Sequence, residues 1–266
     1  MNFKERLSLN YGKLTPTDKV ITTSVVKQPE FFFTHTIQQV TDEINVSPAA
    51  MSRYVKKLGY RGFKEFVLAL EQQQDETNGT AQKKTENETL FSKVLETYTE
   101  SLERSRKKDF DNDLRLASAM ILDTPHVKAI GIGNSGLPAK QLVYSLYTQG
   151  LFIEAITSQT QIYYLKELLD ATYLLIIYTV SGIDDYYREI VENAQKVGAK
   201  TIIITLNDES QAAELADIAF ILPNGQAQVS ENGSLYQVDN RILFFVLSES
   251  IAYYVKNELD QRHQNN

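Results

Sequence analysis

HVKAIGIGNSGLPAKQL, residues 126–142, decides how the larger part of this chain folds. Val127 to Ile132 is an apolar run of the length of a buried strand, and a helical pattern runs from Leu137 to Gln149. The join is Gly131-Ile132-Gly133-Asn134-Ser135-Gly136. A strand that turns through glycines straight into a helix leaves free backbone N–H groups at a positive helix end, which favours an anion such as phosphate. The same design recurs where Tyr173–Tyr178 is followed by Thr179-Val180-Ser181-Gly182 and a helix from Asp184 to Val197. Gly133, Asn134, Ser135, Gly136, Thr179, Ser181, Gly182 and Asp184 are therefore the candidate ligand-binding residues. The plainer alternative is that these glycines only make tight turns.

Around these two joins, further apolar runs lie at Leu151–Ile156, Thr201–Thr205 and Ile218–Leu222. Helical stretches near Gln161–Leu169 and Gln211–Leu215 separate them, and a last helix covers about Asn240 to Leu259. Short strands alternating with helices predict an α/β domain with a parallel sheet flanked by helices, where ligands collect beyond the carboxyl ends of the strands.

Upstream, EQQQDETNGTAQKKTENET separates Leu70 from Leu90 with no apolar periodicity, and reads as a linker. The expected organisation is an all-α domain over residues 1–75, a linker over 76–88 and the α/β domain over 89–266. Within the first part, Thr15-Pro16-Thr17-Asp18 is a helix start signal, and Ile37–Ile44, Asn45-Val46-Ser47 and Pro48–Leu58 read as helix, turn, helix. Ser47 can cap the second of these helices, with Pro48 in its first turn. At about 100° per residue, Ala49, Ser52, Arg53 and Lys56 share one face, and Met51, Tyr54, Val55 and Leu58 the other. The polar face suits the DNA major groove, with Arg53 reaching guanine edges and Lys56 and Lys57 meeting phosphate. A solvated amphipathic helix is the bland alternative.

Charge supports the DNA reading once it is divided by region. The 266 residues carry a net charge of −7, but residues 1–75 hold ten Lys/Arg against eight Asp/Glu. Between Ser47 and Lys64 stand Arg53, Lys56, Lys57, Arg61 and Lys64, with no acidic residue before Glu65. The 42% hydrophobic and 23% charged composition excludes a disordered chain. Cysteine is absent, and His35, His126 and His263 fit no metal-ligand spacing, so no metal site is expected. No secretory signal or membrane-spanning run is read, which leads to the expectation of a cytoplasmic protein with no membrane partner. There is no Ser-His-Asp set, Walker motif or dinucleotide fingerprint, so no catalytic residue and no cofactor are assigned. The tyrosine doublets at 163–164, 186–187 and 253–254 are expected to pack half-buried.

The stretch from Leu14 to Phe66 resembles the N-terminal domain of the RpiR family of bacterial regulators, through Val46-Ser47, Arg53, Lys56-Lys57-Leu58-Gly59-Tyr60, Gly62 and Phe63. Residues from about Val127 to Leu222 resemble the phosphosugar-binding sugar isomerase (SIS) domain, through GIGNSGLPAKQL, VSG and AQKVGAKTIIITLNDESQAAELADIAFILP. The resemblance implies that Pro48–Leu58 is a DNA recognition helix with Ser47, Ala49, Ser52, Arg53, Lys56 and Lys57 at the DNA, and that Arg61 and Lys64 flank the backbone. It implies a DNA-binding transcriptional regulator of sugar or amino-sugar metabolism, a homodimer or homotetramer on a palindromic operator, responding to a phosphorylated sugar. One departure stands out: the family's Ser-x-Ser-Gly-x-Thr is here Thr179-Val180-Ser181-Gly182-Ile183-Asp184. A carboxylate at 184 repels phosphate if it faces the crevice and supports the helix start if it points away. Two rival readings remain: a phosphosugar isomerase using Asp184 or Glu231 as base, and a regulator whose C-terminal domain only dimerises.

Overall fold

The computed structural model describes residues 1–77, 89–182, 185–225, 228–229 and 235–264. It divides into two compact units. Unit 1 comprises residues 1–97 and 224–239, and unit 2 comprises residues 98–223 and 240–266.

Unit 1 is built from α1 (Phe3–Asn10), α2 (Pro16–Lys27), α3 (Pro29–Thr34), α4 (Ile37–Glu43), α5 (Pro48–Lys57) and α6 (Phe63–Thr77). Capping boxes at Asn2, Thr15 and Thr36 start α1, α2 and α4, each satisfying two backbone donors that a helix start leaves open. Leu7, Ile21, Val40, Met51, Tyr54, Val55 and Phe66 are fully buried. Phe66 is the hub of the core: Phe3, Phe32, Tyr54 and Tyr60 meet its ring edge-on, with centroids 5.7, 6.4, 6.0 and 5.4 Å away.

Helix α7 (Leu90–Arg106) contains the division between the units, and α8 (Asp111–Asp123) leads into the sheet. The sheet contains β1 (His126–Ile130), β2 (Glu154–Ile156), β3 (Tyr173–Thr179), β4 (Lys200–Thr205) and β5 (Ile218–Ile221), all parallel, in the order β2-β1-β3-β4-β5. α9 (Gly136–Tyr147), α10 (Gln159–Leu168), α11 (Asp185–Val197) and α12 (Gln211–Leu215) connect the strands, and α13 (Ile242–Gln264) follows. Leu175 and Ile177 of β3 face α10, α11 and α12. On the opposite face, the Tyr178 ring meets Phe244 of α13, and its hydroxyl bonds Ser248 at 2.8 Å. Both faces are covered, which is why β3 after Tyr173 and β4 after Lys200 are buried continuously with no alternation.

The expected fold is present, with three differences in detail. Only Glu154–Ile156 of the run 151–156 is strand, because Gly150 at φ 80° lets the Leu151 amide return to Leu146 and close α9. The expected linker falls mostly outside the described residues, and residues 224–239, with the hairpin β6 (Gln228–Val229) and β7 (Leu235–Tyr236), join unit 1 although unit 2 flanks them in sequence. Of the tyrosine doublets, Tyr187 is buried while Tyr163 and Tyr164 are 62% and 63% exposed, where half-buried packing was expected.

Candidate functional site

Two helix ends of the same kind set the geometry of the basic segment. After α4, Asn45 takes φ 54°, its amide bonds Asp42 O, and the Val46 amide bonds Thr41 O. After α5, Gly59 takes φ 84°, its amide bonds Lys56 O, and the Tyr60 amide bonds Val55 O. Both are Schellman closures, and asparagine is the residue other than glycine that most readily adopts the left-handed conformation this requires. Helix α5 then begins at Ser47, whose Oγ accepts the Ala50 amide at 3.1 Å. These constraints fix the angle at which α5 leaves α4.

Met51, Tyr54 and Val55 point into the core. Outward lie Ser47, Ala49, Arg53, Lys56, Arg61 and Lys64, all exposed, with Ser52 half-buried. The small residues sit at the N-terminal end of α5 and the cations follow, the arrangement expected of a helix entering the major groove. Lys57 is placed differently: its ammonium forms an ion pair with the buried Asp18 of α2 and bonds Lys13 O at 3.3 Å. Burial disfavours the Asp18 carboxylate, but hydrogen bonds from Lys57 and Thr15 more than offset this and hold it below the ordinary carboxylate range. Lys57 was expected among the phosphate contacts, yet its charge is committed inside the unit. The acidic partner is 39 residues away in sequence, so helix periodicity gave no sign of it.

In unit 2, strand order locates the second site. The chain passes from β1 to β2 on one side and then back across to β3 on the other, so the order reverses between β1 and β3. Ligands in open parallel sheets bind at such a switch point. The two glycine joins are the loops that leave β1 and β3, so the fold sets them side by side.

Each loop is held tightly. A Cβ at Gly131 would stand 2.2 Å from Ser135 O, and one at Gly136 would stand 2.8 Å from both Gly131 O and Thr157 Cγ2, so these two glycines serve the turn itself. Gly133 differs: at φ 59° it faces open space, with Asn134 exposed beside it. In the other loop the buried Thr179 hydroxyl accepts the Gly182 amide at 3.0 Å and is spent on the turn. The Ser135 and Ser181 hydroxyls have no hydrogen-bond partner among the described residues. Asp184 and Glu231, the carboxylates considered at sequence level, lie outside the described residues.

The loop after β4 holds a pair the sequence reading left unassigned. Asn207 Nδ2 donates to Ser181 O at 2.5 Å, and Ser210 Oγ to Gly182 O at 3.4 Å, so both fix the β3 loop from the next strand. Ser210 also caps α12 by accepting the Ala213 amide at 3.3 Å, and a serine at a strand-to-helix join was the available signal.

An exposed basic helix on a helix-turn-helix unit, joined to a doubly wound parallel α/β unit with two glycine loops at its switch point, defines a two-unit DNA-binding protein. Residues 1–77 match the helix-turn-helix domain of the rpiR family, and residues 120–246 match the SIS domain. A relative in Haemophilus influenzae, described as an uncharacterized HTH-type transcriptional regulator, is 22% identical over 268 residues, covering 97% of this chain and 92% of the relative. Among solved structures, the Vibrio vulnificus NanR protein complexed with ManNAc-6P has a TM-score of 0.57 at 15% identity, covering 97% of this chain and 93% of that one. A ligand-bound protein of Escherichia coli CFT073 has a TM-score of 0.53 at 16% identity, covering 65% of this chain and 90% of that one.

Proposed function

We propose that the protein is a cytoplasmic transcriptional regulator that binds a palindromic operator as a homo-oligomer and senses a phosphorylated sugar, without catalysing a reaction. The observation that carries this reading is the presence in one chain of an outward basic α5 and of two glycine loops leaving the neighbouring strands β1 and β3 at the switch point of the sheet. The NanR protein, similar over nearly the full chain, is complexed with ManNAc-6P, which supports a sugar phosphate as the effector class. Relatives described as transcriptional regulators along nearly the whole chain support regulation over catalysis. Gly133, Asn134, Ser135, Gly136, Ser181 and Gly182 form the crevice lining we assign to the phosphate, with Thr179 shaping the turn beneath it.

The test begins with selection of binding sites from random duplex DNA, followed by titration of the selected site with the wild type and Arg53→Ala. Arg53→Ala is expected to weaken the selected site by about 1–3 kcal/mol and to relax preference at one base position, with folding intact. Unchanged specificity in this variant would remove α5 from the reading role. Thermal unfolding against ManNAc-6P, a set of pentose and hexose phosphates and the corresponding free sugars tests the other half. A stabilising shift with phosphorylated compounds only is expected, and equal shifts with the free sugars would exclude phosphate recognition.

A further inference from the structure

Residues 224–239 follow β5 and precede α13, both in unit 2, yet they pack within unit 1. Asn224 Nδ2 donates to Glu5 O at 2.8 Å, and its Oδ1 accepts the Ser8 hydroxyl at 3.1 Å. The Tyr11 hydroxyl donates to Leu235 O at 3.0 Å, and Gln237 Nε2 donates to Ser8 Oγ. Leu235 packs against the apolar core that contains Met51, Tyr54 and Phe66. These hydrogen bonds stitch the described residues of the segment to α1 and to the turn after it, with Ser8, Asn10 and Asn224 all buried.

Its origin gives these bonds a meaning. All five strands are parallel, so β5 ends at the same edge of the sheet as the two glycine loops. There the Leu222 amide bonds Thr205 O at 2.8 Å, tying the exit of β5 to β4, whose following loop holds Ser181 and Gly182. At the neck, Asn240 Nδ2 donates to Pro223 O at 2.6 Å with Asn240 buried, so exit and return are clamped together in unit 2.

We propose that Asn224, Leu235 and Gln237 are the anchors of a coupling strap: through them the chain carries the conformational state of the carboxyl edge of the sheet into α1, against which the core beneath α5 packs. This deepens the sensor reading by naming its route of regulation. It rests on that reading for what the signal is, and not for the coupling itself.

Hydrogen exchange of the full-length protein, without ligand or DNA, tests the strap separately from the sensor. Asn240→Ala releases the neck inside unit 2. At least tenfold faster exchange is expected for α1 amides in unit 1, with the β3 amides Leu175–Tyr178 unchanged. Unchanged α1 exchange would overturn the proposal. Should Asn240→Ala also loosen β3, the double variant Ser8→Ala/Tyr11→Phe decides, because both positions lie in unit 1. The strap requires faster exchange at Leu222 and Leu243 of unit 2 in that variant, and no change there would overturn it. A strap confirmed in a protein that binds no sugar phosphate would leave the coupling standing and remove only the proposed signal.

Discussion

Asp18 closes two structures at once. Its carboxylate accepts the Thr15 amide at 2.8 Å in the capping box of α2, and it neutralises Lys57 of α5, so one side chain both starts a helix and holds α5 to it. Asp18→Asn keeps an acceptor for the cap and removes the charge. It is expected to cost about 2 kcal/mol at neutral pH, in line with a hydrogen bond to a charged group, read from denaturant unfolding. The folded value of Asp18 lies below its ordinary 3.8, so its contribution is complete above about 3.8 and is lost as pH falls through the lower folded value. The gap between wild type and Asp18→Asn should accordingly begin to narrow as pH falls below about 3.8, and a gap that stays undiminished throughout the acid range would refute the ion pair's part in stability. Two glycines allow a second comparison. Gly182→Ala must adopt φ 55° and place its Cβ 2.2 Å from Ser210 Oγ, whereas Gly133→Ala adopts φ 59° into open space. The Gly133 variant is expected to lose about 1 kcal/mol from backbone strain alone, and the Gly182 variant more, by chemical denaturation. Equal losses would show that the latch to Ser210 yields freely.

At the level of the element, α5 separates into cations that face outward and one that does not. Arg53 and Lys56 of α5 are exposed, as is Lys64 in the first turn of α6, while Lys57 is held by Asp18. Each phosphate contact contributes about one unit to the slope of log affinity against log salt. Lys56→Ala and Lys64→Ala are expected to lower that slope by about 1 each with little change in stability. Lys57→Ala should instead destabilise the fold and leave the slope nearly unchanged. A full unit lost in the Lys57 variant would mean that the ion pair opens on DNA. The helix-turn-helix itself was readable in advance, since Ser47 with Pro48 marks a start and Asn45 and Gly59 mark stops by local chemistry. The partner of Lys57 was hidden because the contact depends on how α2 packs against α5.

On the scale of the whole molecule, a sensor that regulates DNA binding must obey linkage. The factor by which a sugar phosphate changes operator affinity must equal the factor by which operator DNA changes affinity for the sugar phosphate. Calorimetric titration with and without the selected operator should return the same factor in both directions, in the range of about 5 to 150 typical of such coupling. Unequal factors would mean that the two ligands act on different assemblies. At 100 times its dissociation constant, an effector that binds only the native state should add about 2.7 kcal/mol to unfolding, which sets the scale of the thermal screen.

Local chemistry already specified the parallel α/β plan, because buried strands must be continuous apolar runs and the helices between them amphipathic. It specified α5 for the same reason: caps, turns and a 3.6-residue period are properties of neighbouring residues. It also marked both glycine joins, although their placement on neighbouring strands follows from the strand order β2-β1-β3-β4-β5. Packing over long sequence distances settled the rest. Asn207 and Ser210 hold the β3 loop, and Lys57 belongs to Asp18. Residues 224–239 show the division most clearly, since their place in the chain assigns them to the α/β domain while Ser8 and Tyr11, more than 200 positions away, hold them in the helical one. Such partners are chosen by the free energy of burying and satisfying polar groups in the folded chain, and no short stretch of sequence contains that information.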